Sequence, residues 1–335
     1  MAGRRHRPSL TEFHAAARST KLHTSLACST DVPGYESMTI QPRPSSAQNG
    51  RVQWSGWQPL QGCFRPGTVP DEPGLYKIRR SGRDDVDYIG QTGIGLRGRL
   101  AMLRGVYTNR MPYRDPHTAG PGLWALRDAS RCAFEASVAV AATDVHVRKG
   151  LEALEIALYR QHRGCSPILN FGGMPAGYRM SSGNNARLAA AGNRRHGGRS
   201  RTATTCESLC PIGPLVGDPH GSMWCGHEWT KWESISDCAK ALNADSCGVY
   251  RVRAAGAPGL VYIGEGCITA RLTAHLRKVA TKDHPQAQFF AAKNLECSWV
   301  VSDVWQRRQR CELETDLIGA HCLAIGAPPA AQFRG

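Results

Sequence analysis

Gly74-Leu75-Tyr76, followed twelve residues after its tyrosine by Tyr88-Ile89-Gly90, is the stretch on which the reading of this chain turns. The chain says it twice: Gly248-Val249-Tyr250 is followed at the same spacing by Tyr262-Ile263-Gly264, 174 residues on for both tyrosines. An internal repeat outranks any single motif, so two homologous modules are expected in tandem. Working outward, Trp54-Ser55-Gly56-Trp57 precedes the first copy and Trp229-Thr230-Lys231-Trp232 the second, the leading Trp lying 20 and 19 residues before the motif glycine. Trp contributes mainly buried area, so these pairs read as packing anchors.

The repeat also organises the secondary structure. Leu75–Arg80 and Val249–Arg253 space their apolar residues by two, and Val86–Gly90 and Leu260–Gly264 follow across short polar or Gly/Pro turns, which predicts a β-hairpin in each copy. Leu96, Leu100 and Leu103, and Ile268, Leu272 and Leu276, predict a helix after each hairpin. A third strand is expected at Ala133–Val140 and at Glu296–Val301, then a second helix at about 148–161 and about 307–322. The fold class is therefore α+β (mixed α/β), each module a small central sheet flanked by helices.

The chain has 335 residues, a net charge of +15 and 13 cysteines. That length suits about two domains, and no apolar run approaches the ~20 residues of a membrane span. An odd cysteine count without a secretory signal fits a reducing compartment, so the chain reads as soluble and cytoplasmic, with no membrane partner. Residues 1–30 carry Arg4, Arg5, Arg7, Arg18 and Lys21 against Glu12, and residues 176–205 carry six arginines and no acid. Basic, Gly- and Ser-rich segments of this kind cannot bury enough apolar surface to fold alone. They can bind phosphates by releasing counterions, and nucleic acid is favoured over a merely solvated linker. The expected organisation is a basic tail (1–50), a first module (51–175), a basic linker (176–222) and a second module (223–335).

Arg99 immediately precedes Leu100, and Arg271 immediately precedes Leu272. A guanidinium stays charged and presents fixed donors, which suits clamping a phosphate. Glu155 falls on one stripe with Leu151, Leu154 and Leu158, and Glu314 falls with Leu313, Leu317 and Ile318. An acid on an apolar stripe must find a cation, a donor or a metal. Glu152 and Glu312 fall nearer the flanks and are set aside. The alternative for Glu155 is a structural salt bridge, with Arg99 as one candidate partner.

These residues together resemble the GIY-YIG nuclease superfamily, over most of 70–175 and 245–335. Tyr76 and Tyr88 match its two tyrosines, Arg99 its helix arginine, Glu155 its glutamate, and Pro167-Ile168-Leu169-Asn170 its closing segment. In the second copy Tyr250, Tyr262, Arg271 and Glu314 match, while Gln332 stands at the place of Asn170 and His275 at the place of Leu103. The resemblance implies a metal-dependent endonuclease with Mg²⁺ or Mn²⁺ on Glu155 and Glu314, tyrosines that orient or activate water, and an arginine on the scissile phosphate. DNA, with duplex favoured, is the expected partner, and the first module is ranked as the more active. The alternatives kept open are a DNA-binding scaffold, or cleavage of RNA or branched DNA. Separately, Cys206, Cys210, Cys225 and His227 form C-x3-C and C-x-H, a spacing that could close a structural zinc site. The competing reading, which is favoured, is free thiols.

Overall fold

Alternation of apolar and polar side chains in the two motif hairpins builds the same sheet twice. In the computed structural model, which describes residues 52–112, 117–180, 201–202, 206–243, 245–281, 283–292 and 294–334, strand β2 (Gly74–Arg80) lies between β3 (Val86–Thr92) and β4 (Phe134–Val140). The short β1 (Gln58–Pro59) completes an antiparallel sheet of order β1-β4-β2-β3. The second half repeats it: β7 (Glu233–Ser234), β8 (Cys247–Ala254), β9 (Leu260–Cys267) and β10 (Leu295–Val301) run β7-β10-β8-β9. Even the irregularity recurs, since the hairpin register shifts between Ile78 and Arg79 and between Val252 and Arg253. The protein is thus α+β with two four-stranded antiparallel sheets, and the described residues from 52 onwards form one compact unit.

The expected helices appear as α1 (Leu96–Ala101) and α3 (Val145–Arg163) in the first half. The sequence reading missed α2 (Gly120–Ser130), whose Gly-Pro-Gly start looks like a turn, although proline is tolerated in a first helical turn. The second half holds α4 (Ile235–Ala241), α5 (Ile268–Val279), α6 (Ala287–Phe290) and α7 (Arg307–Ile325). Asp144 caps α3 by accepting from the Val147 N–H at 2.8 Å, and Gly164 ends it in the left-handed region. No described helix is long and apolar enough to cross a membrane.

The halves are joined through α3 and α7. Gly319 makes the close crossing possible: a Cβ there would lie 2.5 Å from that of Ala157. Beside it Arg160 is fully buried, donating from Nε and Nη2 to Asp316 at 2.8 and 3.0 Å and from Nη1 to Ser166 at 2.6 Å. Glu312 completes this network, 3.5 Å from Arg160, 3.2 Å from Arg308, and accepting from the Ser208 hydroxyl and the Leu209 N–H. Part of the expected linker is therefore packed, with Leu209 and Leu215 against Trp224 in the core of the second half. The tail (1–50) and the arginine-rich residues 181–200 lie outside the described residues; the latter are bracketed by β5 (Arg179–Met180) paired with β6 (Arg201–Thr202).

On the sheet face opposite the tyrosines, the Trp anchors stack on cations. Lys77 Nζ sits 3.8 Å from the Trp54 ring and Arg79 4.2 Å from Trp57, the latter paired with Glu135 at 2.9 Å. The second half repeats this with Arg253, Trp232 and Glu296, but Arg251, at the place of Lys77, forms no ion pair among the described residues. It is buried between Trp229 and Trp232, donates to Pro219 O at 2.6 Å and to Ser298 at 3.3 Å, and its Nε finds no acceptor among the described residues.

Candidate active site

The two tyrosines of each motif meet because their strands pair in a fixed register. Tyr76 is opposite Gly90 and Ile78 opposite Tyr88, so the tyrosines are diagonal neighbours on one face, with ring centroids 6.0 Å apart. Tyr250 and Tyr262 repeat the arrangement at 6.2 Å. The motif glycine follows from it: a Cβ on Gly90 would stand 2.6 Å from the Tyr76 hydroxyl, and one on Gly264 would strike Tyr250 in the same way. The glycine is the hollow that receives the first tyrosine.

Each buried tyrosine is held by a histidine, and the two histidines come from different places. Tyr76 Oη lies 2.9 Å from His117 Nε2, just ahead of α2; Tyr250 Oη lies 2.8 Å from His275 Nε2, on α5. Burial lowers both imidazoles to about 3, so both are neutral. The Ala119 N–H donates to His117 Nδ1 at 3.2 Å, and the Lys278 ammonium donates to His275 Nδ1 at 3.3 Å. In each ring Nδ1 therefore accepts, the proton sits on Nε2, and the histidine donates to the tyrosine oxygen. Sequence reading found His275 and missed His117, because nothing periodic marks a loop histidine; a count of histidines near each motif was the available signal. Arg99 Nε donates to Tyr76 Oη at 3.4 Å, and the charge of Arg271 acts on both Tyr250 and Tyr262. Burial nevertheless outweighs these cations and pushes all four phenols above the usual tyrosine range. In this state they are neutral hydrogen-bonding groups.

The carboxylate expected in the first half needs correction. Glu155 forms an ion pair with Lys77 at 3.2 Å and accepts from Trp54 Nε1 at 3.1 Å. Lys77 alternates with Tyr76 along β2, so Glu155 serves the opposite face of the sheet. The carboxylate whose charge is felt on the tyrosine face is Glu152, which acts on Tyr76, Tyr88 and Arg99 as Glu314 acts on Tyr250, Tyr262 and Arg271. Both are half-buried, and neither forms a salt bridge among the described residues. Burial pushes Glu152 up to about 7 and Glu314, with Glu265 nearby, up to about 8. The signal was in the sequence: counting back from Asn170-Phe171 and Gln332-Phe333 pairs Leu151-Glu152 with Leu313-Glu314 at a constant offset of 162. Glu312, also set aside, is a buried partner of Arg160 and Arg308.

Asn170 and Gln332 pin the motif strands. Asn170 accepts from the Ile89 N–H at 3.0 Å and donates to Ile89 O at 2.9 Å; Gln332 accepts from the Ile263 N–H at 3.2 Å. The longer amide thus keeps the same anchor on the residue between tyrosine and glycine. Phe171 and Phe333, the next residues, both sit at positive φ, 55° and 60°. These positions border one cavity of about 260 Å³, lined by Glu152, Ala153, Ile156, Asn170 and Phe171, by their counterparts Glu314, Thr315, Ile318, Gln332 and Phe333, and by Lys149, whose charge acts on Glu152. The two carboxylates open onto a common space at the α3–α7 crossing.

The proposed zinc ligands do not assemble. Among the described residues no three His, Cys, Asp or Glu side chains converge as a metal site. Cys225 is buried and pushed up to about 12, which keeps its thiol protonated, and Cys210 is exposed beside Gly164. Cys206 is half-buried and unbridged. His227 packs edge-on against Trp229 and Trp305 at 5.7 and 5.9 Å, and burial lowers it to about 4. It is a core residue of an aromatic cluster. No protein-family model, curated protein or solved structure matches this chain.

Proposed function

We propose that the protein is a metal-dependent endonuclease acting on DNA, with one site in each half. The observation that carries this reading is the spatial recurrence of a Tyr-Tyr-Arg-Glu-His cluster: Tyr76, Tyr88, Arg99, Glu152 and His117, then Tyr250, Tyr262, Arg271, Glu314 and His275. A half-buried carboxylate with no salt bridge among the described residues and a raised proton affinity is a fitting oxygen ligand for a hard divalent cation such as Mg²⁺ or Mn²⁺. Bound there, the cation would polarise the scissile phosphate and steady the leaving oxygen. The protein's own groups do the positioning. Arg99 and Arg271 carry the charge that would draw a phosphate towards the tyrosine pair. Each histidine donates to the first tyrosine's oxygen, leaving the phenolic proton to be directed to the second tyrosine or to a water. The net charge of +15 supplies sequence-independent attraction for a polyanion.

The test is cleavage of plasmid, short duplex, branched DNA and RNA with Mg²⁺, Mn²⁺ or EDTA, comparing wild type with Glu152→Gln, Glu314→Gln, the double variant and Glu155→Gln. Metal-dependent cleavage retained by Glu155→Gln and lost in the double variant is expected. Salt-sensitive binding without cleavage by any form would replace the nuclease with a DNA-binding scaffold.

A further inference from the structure

A second, larger cavity adjoins Tyr88. Its volume is about 510 Å³, and it has walls from both halves: Tyr88, Asn170, Phe171 and Tyr178 from the first, Arg307 and Arg308 from the first turn of α7 in the second. Arg308 is engaged, 3.2 Å from Glu312 and donating to Cys206 O at 3.3 Å. Arg307 is exposed and has neither an ion pair nor a hydrogen bond among the described residues. The first turn of α7 has no acid, and cations there oppose the helix dipole. Arg310 offsets this by pairing with Glu265 at 3.2 Å; Arg307 has no such compensation. Its position costs the helix stability while giving the cavity a positive rim.

We infer that this cavity binds a single unpaired nucleotide flanking the bond cut in the first half, and that Arg307 of the second half holds its phosphate. The inference rests on the nuclease reading and adds a substrate preference to it. A volume of this size falls in the range of roughly 300–1,000 Å³ of pockets that enclose one small ligand. That volume suits one nucleotide better than a base pair with both backbones. Phe171 and Tyr178 offer aromatic surface to a base, an interaction tolerant of sequence, while Arg307 supplies the charge a phosphate requires. A base admitted here must leave its stack, so single-stranded, frayed or branched DNA would enter more easily than intact duplex.

The experiment measures binding of fluorescent oligothymidylate and of a duplex of equal length in EDTA, over a range of salt. The proteins are wild type, Arg307→Ala, Arg307→Lys, Tyr178→Ala, and Arg277→Ala as an exposed-charge control. Expected is a loss of about tenfold in single-strand affinity for Arg307→Ala with partial recovery in Arg307→Lys, a salt slope shallower by about 0.7, and a smaller loss for Tyr178→Ala. Duplex affinity should change no more than in Arg277→Ala. Equal losses for Arg307→Ala and Arg277→Ala, or equal losses on duplex and single strand, would overturn the inference. If wild type cleaves with metal but Arg307→Ala binds normally, only this inference fails. If wild type binds no nucleic acid, the nuclease reading fails with it.

Discussion

On the outer face of the first sheet, Lys77 stacks on Trp54 and is neutralised by Glu155; on the outer face of the second, Arg251 lies among Trp224, Trp229 and Trp232 with no ion pair among the described residues, Leu317 standing where Glu155 would be. On the inner faces the halves differ in sequence yet agree in chemistry. His117 and His275 come from non-equivalent positions, adopt the same tautomer and hold the same tyrosine oxygen at 2.9 and 2.8 Å. One face tolerates two solutions to a buried charge, and the other arrives at one arrangement by two routes. This contrast marks the tyrosine face as the side with chemical requirements.

The sharpest way to break the contrast is through the carboxylates. Glu152→Gln and Glu314→Gln should each lower cleavage by the half concerned about a thousandfold, since losing the cation forfeits several kcal/mol of charge stabilisation. Glu155→Gln should leave the rate per folded molecule within a few-fold, and rates on the three variants decide it. A larger loss at Glu155 than at Glu152 would return the site to the stripe.

The outer faces predict unequal costs for the same substitution. Lys77→Met strands Glu155 at a mostly buried position and should cost about 2–3 kcal/mol. Arg251→Met removes a cation already held down to about 9 by burial, with one unsatisfied donor, and should be neutral or stabilising by about 1 kcal/mol. Urea unfolding of both variants measures the difference.

The histidines predict a shared pH response. Their folded values of about 3 lie below the ordinary 6.5, so their contribution is complete above pH 6.5 and is lost as pH falls towards 3, because only the unfolded chain takes up the proton. His117→Phe and His275→Phe should each reduce the acid loss by about 1.4 kcal/mol per pH unit between 6.5 and 4, seen as melting temperatures that converge with wild type in acid. The carboxylates separate the halves again. Raised to about 7 and about 8, they must lose a proton before binding a cation. Glu314→Gln, which leaves the first half, should therefore reach half-maximal rate about one pH unit below Glu152→Gln. A common midpoint would show that these carboxylates do not set the pH dependence, and activity in only one variant would show that one half does all the work. The smallest effect belongs to Gln332→Asn, expected to cost about 1 kcal/mol by withdrawing one strand anchor.

The paired motif hairpins and the long helices were legible because strand alternation and helical spacing report directly on burial. Leu75–Arg80 and the 148–161 helix needed only small extensions, to Gly74–Arg80 and Val145–Arg163. Glu155 misled because amphipathic position says that a carboxylate is buried, not which face of the sheet it meets; Lys77, one residue from Tyr76, supplied the partner. His117 was invisible to periodicity, and C-x3-C spacing suggested a zinc site where Cys225 and His227 instead join an apolar and aromatic core. Arg307 lay on a recognised helix, yet only the packing of α7 against the first half gave it a cavity to face.

Gly319 lies in neither tyrosine cluster, but it sets the spacing of the two helices that carry both carboxylates. A single methyl at that crossing would meet Ala157 and act as a wedge, widening the space Glu152 and Glu314 share. Gly319 is therefore a gauge block for both candidate sites at once: one carbon atom, placed away from both tyrosine pairs, would detune them together.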